Sequence, residues 1–241
     1  MVERSMKISF WLFGVIVLLY IIKLPVQLGD YTSSSWTLPL SGQTIVIDPG
    51  HGGPDGGAKG SDETSEKNIA LIVSKMLQDY LQQSGAIVHL TREKDTDLAS
   101  PETQGLSKRK AEDIRNRMKF IEDHDPDFFL SIHLNSIPSS RWHGAQTFYY
   151  PKFHASKHLA KMVQSEIIRN LENTERQALA INNVYLLKHA QIPSALVEIG
   201  FLSNERERDQ LKDEQYQRRM ANSIYQGILR YVTEEPLDIK D

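Results

Sequence analysis

The chain has 241 residues, 40% apolar and 24% charged, enough for one domain with a full core and an N-terminal appendage. A formal net charge of -3 lacks the basic excess of a nucleic-acid binder, so no nucleic acid is expected as a partner. With no cysteine in the chain, a Cys nucleophile, a thiolate metal site and a disulfide framework are excluded, and any metal must be held by His and carboxylates.

Arg4 and Lys7 precede an apolar run from Ile8 to Ile22 that Lys23 closes. Basic residues ahead of an apolar segment read as an export signal, and the basic flank predicts that the body lies outside the membrane. The run is shorter than the ~20 residues that span a bilayer comfortably. Continuation to Leu28, with Lys23 snorkelling to the interface, lengthens it. No small-x-small cleavage pattern follows, which favours an uncleaved signal anchor over a cleaved signal peptide for residues 1–28; a buried core helix is the alternative. Residues 29–40 read as a polar linker, 41–234 as the folded domain and 235–241 as a tail.

Thr44 to Asp48 reads as a buried strand, followed by the glycine-rich loop Pro49-Gly50-His51-Gly52-Gly53. Thr64 is the expected N-cap of a helix whose apolar face carries Ile69, Ile72, Val73, Met76, Leu77, Tyr80 and Leu81, and Gly85 ends it. A second strand is expected over 86–92, an exposed loop over 93–106 and a helix over 107–122. Phe128 to His133 is a third strand, 136–143 a loop and 144–150 a fourth strand. Leu159, Met162, Val163 and Ile167 mark a helix. Strands are expected at 184–187 and 195–199, then amphipathic helices near 204–212 and 214–232. Strands alternating with helices predict an α/β fold: a mainly parallel twisted sheet, flanked by helices on both faces, in a single domain.

In such sheets ligands bind at the carboxyl ends of the strands. His51 follows the first strand, His133 closes the third, and Glu198 stands in the otherwise apolar run Ala195-Leu-Val-Glu-Ile199. Glu66 lies in the first turn of the helix after the glycine loop. Two imidazoles and a carboxylate make a donor set for catalytic zinc, which keeps one position open for water and lowers its pKa to roughly 7. A separate carboxylate then takes the proton and delivers it to the leaving amine. Glu198 fits that role, because a lone carboxylate in a buried strand is costly unless paired or beside a metal. Each residue has a plainer alternative. His51 is also explained as a packed loop histidine, Glu66 as a helix-start acid facing the dipole, and His133 as a hydrogen-bonded core histidine. No role is expected of His89, His124, His143, His154, His158 or His189.

Five ordered segments, Ile45-Val-Ile-Asp-Pro-Gly-His-Gly-Gly53, Glu66-Lys67, Leu90-Thr-Arg92, Ser131-Ile-His-Leu-Asn135 and Leu196-Val-Glu-Ile-Gly-Phe-Leu-Ser-Asn204, resemble the zinc-dependent N-acetylmuramoyl-L-alanine amidases of bacterial cell walls, of the amidase_3 type. The likeness runs from about Leu40 to Tyr231. It implies Zn²⁺ on His51, Glu66 and His133, with Glu198 as catalytic glutamate. Arg117 occupies the place of an arginine ahead of the third strand, while an Ala-Asn pair usual in the family is replaced by Ile121 and Glu122. Arg109-Lys-Ala-Glu-Asp113 and Arg141-Trp-His-Gly-Ala-Gln146 are similar to germination-specific amidases of spore formers. That likeness implies a peptidoglycan substrate in spore cortex, stem-peptide removal ahead of muramic lactam formation, and an exported location, anchored or secreted. It leaves any protein partner unspecified. Two other classes compete: a zinc carboxypeptidase or peptidase trimming wall peptides, and an inactive wall-binding descendant, which usually loses a ligand or the glutamate.

Overall fold

The structure is a computed structural model that describes residues 2–23 and 37–234. Expectations for 24–36, most of the linker among them, and for the tail at 235–241 lie outside the described residues. The chain forms two compact units, Met1–Thr37 and Leu38–Asp241. The first holds helix α1 (Val2–Lys23). Among the described residues no helix is long and apolar enough to cross a membrane.

The second unit runs β1 (Thr44–Pro49), α2 (Glu66–Gln83), β2 (Ile87–Leu90), α3 (Leu106–Asp123), β3 (Phe128–Asn135), β4 (Gln146–Tyr149), α4 (His154–Leu171), β5 (Leu179–Ala180), α5 (Tyr185–His189), β6 (Ser194–Phe201), α6 (Glu205–Lys212) and α7 (Glu214–Thr233). The six strands form one sheet in the order β2-β1-β3-β6-β4-β5. β2, β1, β3 and β6 are parallel, β4 runs against β6, and β5 is parallel to β4. The expected α/β architecture is therefore present.

Alternation along each strand divides the core. Ile45, Ile47, Leu130, Ile132, Val197 and Ile199 pack with Val73 and Leu77 of α2, Leu159 and Val163 of α4, and Ile224 and Ile228 of α7. Val46, Phe129 and Leu196 face the other way, against Met118 and Ile121 of α3 and Leu186 and Leu187 of α5. Continuous apolar strands are what a sheet covered on both faces requires. Ile121, which stands where a small residue is usual in the resembled family, is fully buried in that second layer.

Three expectations are corrected. The apolar run at 184–187 belongs to α5, not to a strand: Lys188 N–H donates to the Val184 carbonyl (3.0 Å) and Ala190 N–H to that of Leu186 (3.0 Å). A run that short carries no periodicity to separate strand from helix. The N-cap of α2 is Ser65, one residue beyond Thr64, and its hydroxyl donates to the Gly56 carbonyl at 2.7 Å instead of capping. His133 does not close its strand, because β3 continues to Asn135, whose carbonyl accepts from Leu202 N–H at 2.8 Å.

Candidate metal centre

Strand register sets up the site. Asp48 pairs with Ser131 across β1 and β3, His133 with Glu198 across β3 and β6, and Glu198 with Gln146 across β6 and β4. Residues in register share a face, so these side chains make a polar strip on the face that α3 and α5 cover lower down. His51 leaves the end of β1 in the left-handed region, φ 60°, at a cost of about 1–2 kcal/mol for a non-glycine residue. Two buried arginines hold that turn. Arg92 donates to the carbonyls of Pro49 (3.0 Å) and Gly50 (2.8 Å). Arg117 donates to those of Pro49 (2.7 Å) and His51.

Arg117 also pairs with Asp48 (2.7 Å) and Asp113 (2.9 Å), while Thr91 and Ser131 hydroxyls each donate to Asp48 at 2.6 Å. Burial alone would raise the Asp48 carboxyl, but Arg117 and the two hydroxyls outweigh it and bring it down to about 2. Removing one partner of a buried pair leaves the other uncompensated. Arg117→Ala should therefore cost about 3–5 kcal/mol of unfolding free energy, read by denaturant titration. A loss under ~1 kcal/mol would mean that the pair contributes no more than a surface bridge.

Glu66, the first residue of α2, is almost wholly buried and uses both carboxylate oxygens twice. Oε1 accepts from Leu134 N–H (2.9 Å) and meets His133 Nδ1 (2.9 Å). Oε2 accepts from Ala58 N–H (2.6 Å) and meets His51 Nε2 (3.1 Å). The rings of His51 and His133 lie 5.0 Å apart. One donor atom from each of His51, Glu66 and His133 falls within 4.8 Å of the others, the only such group of three or more among the described residues. The glycines explain how the donors approach. A Cβ on Gly50 would stand 2.4 Å from the His133 ring, and one on Gly57 2.5 Å from Glu66 Oε2.

Burial opposes charge on His51 and Glu66, and their partners restore it. Hydrogen bonds donated by its ring to the Asp55 and Glu66 carboxylates outweigh the burial of His51 and push its imidazole up to about 9. Burial likewise disfavours ionised Glu66, yet His133 and His51 hold its carboxyl below the usual range. Two imidazoles and a carboxylate thus converge, the donor chemistry of a divalent cation. Glu198 differs. Burial pushes its carboxyl up to about 7, and its buried Oε2 has no hydrogen-bond partner.

A profile described as N-acetylmuramoyl-L-alanine amidase (Amidase_3) matches residues 45–230. The chain belongs to this amidase family. The amidase is 48% identical over 233 residues to the germination-specific N-acetylmuramoyl-L-alanine amidase of Bacillus subtilis, covering 97% of this chain and 98% of that one. The CwlD amidase of Clostridioides difficile, solved in complex with the GerS lipoprotein, superposes with a TM-score of 0.78 at 41% identity, over 80% of this chain and 100% of that one. The catalytic domain of CwlV from Bacillus (Paenibacillus) polymyxa gives a TM-score of 0.68 at 32% identity, over 78% of this chain and 97% of that one.

Two residues beside this cluster were not singled out as site candidates in the sequence. Asp55 touches His51 Nδ1 at 2.8 Å, and Lys110 reaches Asp55 from α3 at 2.9 Å. The carboxylate four residues after a candidate ligand, inside a glycine-rich loop, was a usable signal. Lys110 lies in the segment Arg109-Lys-Ala-Glu-Asp113, but nothing local ties it to Asp55. His89 and His124 lie with ring centroids 4.3 Å apart and tilted by 50°, outside the cluster.

Proposed function

We propose that the protein hydrolyses the amide between the lactyl group of N-acetylmuramic acid and L-alanine in peptidoglycan, with zinc held by His51, Glu66 and His133 and with Glu198 as general base and acid. The observation that carries this is the pairing of a convergent His-Glu-His donor set with a buried, unpartnered carboxylate oxygen on the neighbouring strand. Zinc, when bound there, supplies Lewis acidity that polarises the amide carbonyl and acidifies water.

The remaining chemistry falls to the protein's own groups. The Glu198 carboxylate accepts a proton from the attacking water as the new C–O bond forms. It returns that proton to the amide nitrogen as the C–N bond breaks, so the stem peptide leaves as a neutral amine. Burial pushes the Glu198 carboxyl up to about 7, close to the operating pH, where a group can both take and return a proton.

Work in spore cortex is supported by the high identity to a germination-specific relative over nearly the whole of both chains. Basic residues ahead of the apolar N-terminal run support action outside the cytoplasmic membrane, as an exported or membrane-anchored enzyme. The lipoprotein bound to the Clostridioides difficile relative supports a protein partner here too.

Digestion of purified peptidoglycan tests the bond. Mass analysis should find intact stem peptides with a free L-alanine amino terminus, and uncut glycan chains. Release of single terminal amino acids would instead identify a carboxypeptidase. Zinc-loaded protein with no turnover would identify an inactive wall binder.

A further inference from the structure

Asp55 divides its carboxylate between two tasks. Oδ2 lies 2.8 Å from His51 Nδ1. Oδ1 accepts from Gly57 N–H (3.1 Å) and from the Lys110 ammonium (2.9 Å). The other ring nitrogen of His51, Nε2, faces Glu66 Oε2 at 3.1 Å. An imidazole that donates Nδ1–H to a carboxylate presents its Nε2 lone pair to a metal and cannot rotate away from it. Arg92 and Arg117 hold the backbone at His51, φ 60°, by the carbonyls of Gly50 and His51, and Asp55 holds its ring.

Lys110 gives Asp55 its orientation. It stands on α3, one residue from Arg109, whose guanidinium pairs with Asp97 (2.6 Å) and donates to the carbonyls of Ser100 (2.9 Å) and Thr103 (3.0 Å). The relay thus ties a loop ligand to a helix fixed at this point of the body. The Lys110 side chain is 47% exposed, against 14% for Asp55, so it can be changed without opening the core.

We propose that Asp55 is a positioning residue for the metal, and that the relay Lys110–Asp55–His51 sets how long zinc is retained. The proposal rests on the zinc assignment made above. Its effect should appear in zinc retention with the fold unchanged.

The experiment loads the full chain with zinc, adds excess chelator and follows zinc release. Release starts from the loaded protein, so it does not depend on how many protons the empty site holds. Asp55→Ala should release zinc ~10–100-fold faster than wild type, the size expected for a lost carboxylate behind a histidine ligand. Asp55→Asn keeps one acceptor for Nδ1–H and should fall between the two. Lys110→Met should speed release by up to ~5-fold, as for a partly exposed ion pair, and should add nothing in the Asp55→Ala background. The metal-free variants should keep the wild-type melting temperature, which separates positioning from structural damage. If Asp55→Ala does not fold, Asp55→Asn and Lys110→Met carry the test. Wild-type release rates in those variants overturn the proposal. Wild-type protein that binds no zinc overturns both this inference and the zinc assignment, whereas zinc-loaded wild type with unaltered variants overturns this one alone.

Discussion

Glu198→Gln should keep fold and zinc and lose turnover by at least ~100-fold, within the 10²–10⁴ that general acid–base catalysis supplies. The amide has nearly the same shape and still hydrogen-bonds, but it cannot take a proton from water at neutral pH. The change should not destabilise the protein. Burial already pushes this carboxyl up to about 7 and leaves Oε2 without a partner, so the wild-type residue carries a desolvation cost that a neutral side chain avoids. Catalytic groups held in unfavourable surroundings commonly show this opposition of stability and activity. Zinc content, melting temperature and turnover measured together decide the matter. A variant that loses zinc along with activity would show that Glu198 is a ligand. One that retains full turnover would show that the proton passes elsewhere.

How far the sequence disclosed this arrangement follows from the range of each signal. Buried parallel strands read as unbroken apolar runs, so β1, β3 and β6 were legible from composition alone, and Glu198 stood out against Ala195, Leu196, Val197 and Ile199. Glu66 did not. An acid in the first turn of a helix is ordinary, and only the fold brings His51, His133 and two backbone N–H groups onto its carboxylate. Arg117 reads locally as one more charge on an amphipathic helix; its roles depend on Asp48 and on loop carbonyls 66–69 residues away. The α5 turn was misread because four apolar residues fit either period, and β5 was missed because two residues make no pattern. Local periodicity carries secondary structure, whereas contacts closed by the sheet's parallel crossovers leave no mark in either segment alone.

His133→Ala should abolish zinc retention and activity together. Three protein donors leave one open position on a four-coordinate ion. With His51 and Glu66 alone, about a third of the protein's share of binding is lost. On the scale of about 10 kcal/mol for a tightly held zinc, that is roughly 3 kcal/mol, or ~100–1000-fold in affinity. The substitution is a clean one. Glu66 keeps its hydrogen bonds from Leu134 N–H and Ala58 N–H, and β3 keeps its register with β1 and β6, so the fold should persist. Glu66→Gln should behave differently from both His133→Ala and Glu198→Gln. It exchanges an anionic donor for a weaker neutral one, and it puts an amide NH₂ where one of those backbone N–H groups now donates. Its first effect should be weakened zinc retention, partly restored by added zinc, with some loss of stability. Zinc stoichiometry at several total zinc concentrations, read beside turnover, separates the three variants. His133→Ala with one tightly bound zinc and full activity would remove His133 from the metal centre. Zinc retained in Glu66→Gln but lost in Glu198→Gln would exchange the roles of the two glutamates.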